Sequence, residues 1–81
     1  MIIDNFTSMD YLFVVVKSAL NDLLPGEEFT IKDLFRPFEW NRLDEEIREE
    51  LSDFLFEYAK DSDTIGLMTE SKEENQLYIK L

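Results

Sequence analysis

The sequence predicts an α+β fold, and three features carry that expectation. Two long segments repeat apolar residues at helical spacing: Met9, Leu12, Phe13, Val16, Leu20 and Leu23 in the first, and Ile47, Leu51, Phe54, Leu55 and Tyr58 in the second. A shorter stretch between them is punctuated by Pro25-Gly26 and Pro37. At the end, alternating runs at 64–69 and 76–81 flank a polar connector, the pattern of an antiparallel hairpin. The 81 residues suffice for a single small domain over positions 1–81. Such a domain buries only about 60% of its unfolded surface. A content of 44% hydrophobic and 14% aromatic residues supplies the efficient core this demands, and separates the chain from disordered sequences.

The first helix is expected over 7–24. Thr7 or Ser8 can cap it, and Asp10 sits favourably near its positive end. Residues 11–16 alone are β-branched and aromatic enough for a strand, but the longer period decides for helix. Tyr11, Val14 and Val15 fall off the main stripe. Either a second layer covers them, or they form an apolar patch through which two copies could associate. Pro25-Gly26 ends the helix, and Phe29 lies in a very short strand. Thr30 then reads as an N-cap with Asp33 three residues on, opening a short helix whose buried side is Ile31, Leu34 and Phe35 and which Pro37 stops. Residues 38–40 read as a connector. Trp40 reads as a core plug whose indole N–H bonds a neighbouring carbonyl, with ligand stacking as the alternative.

Asp44 is the expected N-cap of the second long helix, with Glu45 and Glu46 in its first turn and Lys60 at its end. In the hairpin, Ile65 and Leu67 are expected on the inner face with Leu77, Ile79 and Leu81, while Met68 and Tyr78 point away. The resulting order is helix, short strand, short helix, long helix, hairpin. That is the order of a winged helix, in which the second and third helices form a helix-turn-helix and the third enters the DNA major groove.

The run Leu24-Pro-Gly-Glu-Glu-Phe-Thr-Ile-Lys-Asp-Leu-Phe35, followed by Trp40, Leu43 and Arg48, resembles a family of short bacterial and mobile-element proteins classed as a domain of unknown function. The family pattern is roughly LPxGxxFxxKDLF, then a Trp, then an Arg-containing helix. Here Pro25 and Gly26 are adjacent, and Ser52-Asp53 follows Leu51 where the family tends to carry Gly-Arg. The resemblance covers the middle of the chain. It implies a winged-helix-like fold and brings no activity with it.

Charge runs against the groove-reading role. There are 8 Lys and Arg against 19 Asp and Glu, a net charge of −11, which repels nucleic acid and anionic membranes and favours basic partners. With Ile47 at zero on a helical wheel, Leu51, Phe54 and Tyr58 fall within about 40°. Glu45, Glu46, Glu49, Asp53 and Lys60 lie on the far side, Glu50 and Glu57 on its margin, and Phe56 at about 180°. A major-groove reader needs Arg, Lys, Asn or Gln at base edges, so nucleic-acid binding through this helix is not expected. The bland interpretation is a solvated face that confers solubility. The sharper one is a docking surface for a basic, nucleic-acid-binding protein, with Glu45, Glu46, Glu49, Asp53 and Glu57 meeting cations around an exposed Phe56 anchor. The connector adds Glu70, Glu73 and Glu74 against Lys72.

Other chemistries fare worse. With no cysteine and no histidine, disulfides, thiolate zinc sites and Ser-His or Cys-His nucleophiles are excluded within this chain. The stretch 61–66 begins like a calcium loop, but Ile65 and Lys72 occupy positions that need oxygen ligands. It reads instead as a turn in which Asp61 and Asp63 bond local backbone. Paired carboxylates on an open helix face lack the burial that would split their pKa values for acid–base work. No cofactor, metal or catalytic activity is therefore expected. MIIDNF lacks the basic segment of a secretory signal, and the apolar run at 11–16 is far short of a bilayer span, so no membrane association and a cytoplasmic location are expected. The expected function is a small acidic, non-catalytic interaction module, regulatory or derived from a phage or plasmid. The alternative is a transcription-type DNA binder that uses other surfaces, and an enzyme built on exposed carboxylates ranks last.

Overall fold

A computed structural model describes residues 3–4, 6–69 and 74–81. Helix α1, Met9–Asp22, begins where Ser8 takes an extended backbone and its hydroxyl accepts from the Tyr11 N–H. Its Leu12, Val16 and Leu20 are fully buried. Tyr11 and Val15 are partly covered by the core, whereas Val14 is 57% exposed. Gly26 adopts φ +94°, a conformation that favours glycine, and its N–H donates to the Lys80 carbonyl at 2.7 Å. That bond ties the turn after α1 to the last strand.

Strand β1, Glu28–Phe29, leads into a 3-10 helix, Ile31–Leu34. Asp33 accepts from the Thr30 backbone N–H at 2.9 Å, which fixes the start of this turn. Pro37 does not simply end this short helix. It opens a second one, α2, Pro37–Arg42, so residues 38–40 are helical and not a connector. A proline forces the residue before it into extended backbone, here Arg36, and itself suits the first helical position. Glu39 accepts from the Arg36 N–H at 3.1 Å, repeating three residues apart what Asp33 does for Thr30.

Helix α3, Glu45–Lys60, is capped by Asp44, whose carboxylate accepts from the Ile47 N–H at 3.0 Å. Its buried residues are Leu51, Ser52, Leu55, Phe56 and Ala59. The buried stripe is therefore turned roughly 100° from the one expected around Ile47. The cause is that α3 packs against three neighbours: α1, the 3-10 helix and the strand that follows α3. Leu51, Leu55 and the small Ser52 and Ala59 lie inward, while Ile47, Phe54 and Tyr58 fall on one margin. Phe54 there stacks on Phe13 of α1, centroids 4.2 Å apart.

Strands β2, Ile65–Leu67, and β3, Tyr78–Lys80, complete a three-stranded antiparallel sheet in the order β1-β3-β2. The register pairs Phe29 and Leu67 with Tyr78, and Ile65 with Lys80. The inner face is thus Phe29, Ile65, Leu67 and Tyr78. Leu77, Ile79 and Leu81, expected inside, share the outer face with Gly66 and Met68. Tyr78, expected outside, is only 1% exposed and stacks on Phe29 at 5.5 Å. Both faces of β3 carry large apolar groups, so alternation alone could not choose between them. Gly66 lets Ile79 and Leu81 lean across the outer face, since a Cβ there would lie 3.1 Å from the Ile79 side chain.

The turn after α3 is held by Ser62, whose hydroxyl accepts from the Thr64 N–H at 3.1 Å, in place of the expected Asp61 and Asp63. No helix among the described residues is long and apolar enough to cross a membrane.

Candidate docking surface

On α3, Glu45, Glu46, Glu49, Glu50, Asp53 and Glu57 are all exposed. The rotated stripe leaves them pointing away from the core. Among the described residues, Glu45, Glu46, Glu49, Glu50 and Asp53 form no ion pair. Glu57 lies 3.6 Å from Lys60. Like charges thus stand four residues apart at Glu45/Glu49, Glu46/Glu50, Glu49/Asp53 and Asp53/Glu57. Each such pair costs about 0.2–0.5 kcal/mol in an isolated helix.

Cations that could have offset this are used elsewhere. Arg48 rises from α3 but turns back to α2, its Nε donating to the Trp40 carbonyl at 3.2 Å and its Nη2 to that of Asn41 at 3.3 Å. It thereby gives a second donor to the Trp40 carbonyl, which also accepts from the Leu43 N–H, and a donor to the Asn41 carbonyl at the end of α2. Arg42 donates to the Ile3 carbonyl and lies 4.9 Å over the Phe38 ring. Lys80 donates to the Leu20 carbonyl at 2.9 Å, and Lys17 lies 6.0 Å over the Phe54 ring. Basic side chains here brace the fold, while the α3 carboxylates are left to solvent.

Phe56 departs from expectation. It is buried, at 9% exposure, with the Lys60 ammonium 5.6 Å from its ring centre, and so is no exposed anchor amid the acids. The outer face of α3 is carboxylate without an aromatic centre. Of the connector acids, Glu70 and Glu73, like Lys72, lie outside the described residues.

A concavity also escaped the sequence. An open cleft of about 490 Å³ is lined by Lys32, Asp33, Phe35, Pro37, Trp40 and Asn41. Trp40 is a core plug as expected, packed on Phe35 at 5.6 Å. Its indole Nε1, however, has no hydrogen-bond partner among the described residues, contrary to the expected bond to a carbonyl. The signal that could have revealed the cleft is the Arg36-Pro37 start with Glu39 following, which makes 37–42 a helix and sets Trp40 against the 3-10 turn. Elsewhere, no group of three or more His, Cys, Asp or Glu among the described residues is placed to hold a metal ion.

Fold and surface together define a small acidic α+β domain with winged-helix-like element order, whose third helix presents carboxylates where a DNA-reading helix would present cations. A family model described as a domain of unknown function (DUF1413) matches residues 15–80, and the chain belongs to that family. The match runs from within α1 to the end of β3, which extends it well beyond the central motif. No curated protein and no solved structure matches the chain.

Proposed function

We propose that this domain is a non-catalytic protein-interaction module and that the outer face of α3 docks a basic, nucleic-acid-binding protein. The observation that carries this is the row Glu45, Glu46, Glu49, Asp53 and Glu57, exposed along one helix that the opposite side anchors firmly to the core. Like charges spaced four residues apart lower stability, and solubility alone does not require them to share one face. A basic partner would remove that repulsion and gain rapid, electrostatically steered association. With Phe56 buried, affinity comes from charge, so binding weakens steeply as salt rises.

Affinity capture from a host extract, followed by mass spectrometry, tests this. The wild-type domain retains basic proteins, and Glu49→Lys with Asp53→Lys releases them. Equal capture by both forms removes the face from consideration. A parallel arm offers duplex DNA at low salt. Retention that falls with salt would favour instead a DNA binder working through exposed cations such as Lys32 and Arg36, which precede α3.

A further inference from the structure

We infer that the seam between α1 and α3 receives a basic amphipathic helix of the partner. This rests on the reading that α3 docks a basic protein, and it adds the element by which that protein is held. Phe13 of α1 stacks on Phe54 of α3 with centroids 4.2 Å apart, and Phe54 lies 6.1 Å from Tyr58. These rings bridge the two helices yet are not enclosed. Phe13 and Phe54 are only partly buried, and Tyr58 is 37% exposed. Ile47, also partly buried, continues the strip toward the start of α3. From Ile47 to Tyr58 the strip runs about 16 Å along the helix axis. That is the reach of the apolar anchors, spaced three and four residues apart, that an amphipathic helix lays against a partner.

The charged residues one helical turn from the three rings decide which helix fits. Asp10 stands three residues before Phe13, Glu50 four before Phe54, Glu57 three after it and Asp61 three after Tyr58, and all are exposed. Against them stands Lys17, with Lys60 drawn to Glu57 at 3.6 Å. Glu50 and Glu57 lie on the solvent side of Phe54, because Leu51 and Leu55 hold its core side. An apolar strip edged by carboxylates is complementary to a helix whose leucine-rich stripe is flanked by lysine or arginine. The Lys17 ammonium, 6.0 Å from the Phe54 centroid, shows that this ring face accepts a cation. A second copy of this chain is the wrong occupant, since it would set the same carboxylates against Glu50 and Glu57.

The probe is the peptide LKKLLKLLKKLLKL, which folds with leucines on one side and lysines on the other. Its control has the same residues reordered so that the leucines are spread around the helix. Titrated into the full chain, the amphipathic peptide should shift the aromatic resonances of Phe13, Phe54 and Tyr58. It should bind at least about tenfold more tightly than the control, the equivalent of one well-buried side chain. Tyr58→Ser should bring it down to the level of the control while circular dichroism stays native. Glu50→Lys, at an exposed position, should weaken both peptides. Equal binding of the two peptides, or undiminished binding by Tyr58→Ser, would overturn the seam and leave docking by charge alone. Binding of neither would overturn both. A dimer in sedimentation that Tyr58→Ser dissolves would put a second copy on the seam and overturn the assignment as well.

Discussion

Phe56 lies among acidic residues on a helical wheel, yet its ring is buried. The buried side of α3 is set by Leu51 and Leu55 together with the small Ser52 and Ala59, which a count of large apolar residues passes over. Truncation at this position therefore reports on folding rather than on docking. Phe56→Ala should cost about 3–5 kcal/mol in chemical denaturation, a large share of what a small domain possesses. Tyr78 gives a second test at this scale. Burial raises its phenol well above the ordinary value of 10.0, because the inner sheet face disfavours phenolate. The unfolded chain thus loses this proton at lower pH than the folded one. The Tyr78 contribution is intact below about pH 10 and is lost as pH rises from there toward the raised folded value. Alkaline denaturation followed by circular dichroism should show a steeper loss of stability for the wild type than for Tyr78→Phe.

Among the elements, long helices were legible and short ones were not. α1 and α3 each repeat apolar residues over several turns, so their presence survives errors in which face is inward. The hairpin was legible as a hairpin, but its inner face was not, since Leu77, Tyr78 and Ile79 are all apolar and only the pairing of Tyr78 with Phe29 decides. α2 was hidden because Pro37 is equally a stop signal and a first-turn residue, and only Glu39 accepting from the Arg36 N–H resolves the ambiguity. The α3 carboxylates remain where periodicity put them. Their mutual repulsion predicts that Glu49→Lys with Asp53→Lys raises thermal stability: the Glu45/Glu49 and Asp53/Glu57 repulsions become attractions, each pair worth about 0.2–0.5 kcal/mol, while positions 49 and 53 exchange one like-charge pair for another. Added salt should narrow the gap between this variant and the wild type by screening the same repulsion.

For the whole molecule, charge is partitioned by use. Arg42 and Lys80 reach across the fold to backbone carbonyls of distant segments, and Arg48 to those of the neighbouring α2, while much of the −11 surplus is left on outward faces. Composition alone gave the sign of that surplus. Its concentration on α3 needed only the helical period. The cleft was illegible because Lys32, Phe35, Trp40 and Asn41 meet only once two short helices fold against each other. The central claim is that the α3 face, and not net charge as such, engages a basic partner. Comparing Glu49→Lys with Asp53→Lys against Asp22→Lys with Asp63→Lys tests it most directly, because the two double variants have the same net charge and all four positions are exposed. In quantitative capture at low salt, the α3 pair should lose the basic proteins that the wild type retains, and the Asp22/Asp63 pair should keep them. Equal loss by both pairs, or loss by neither, would contradict the claim.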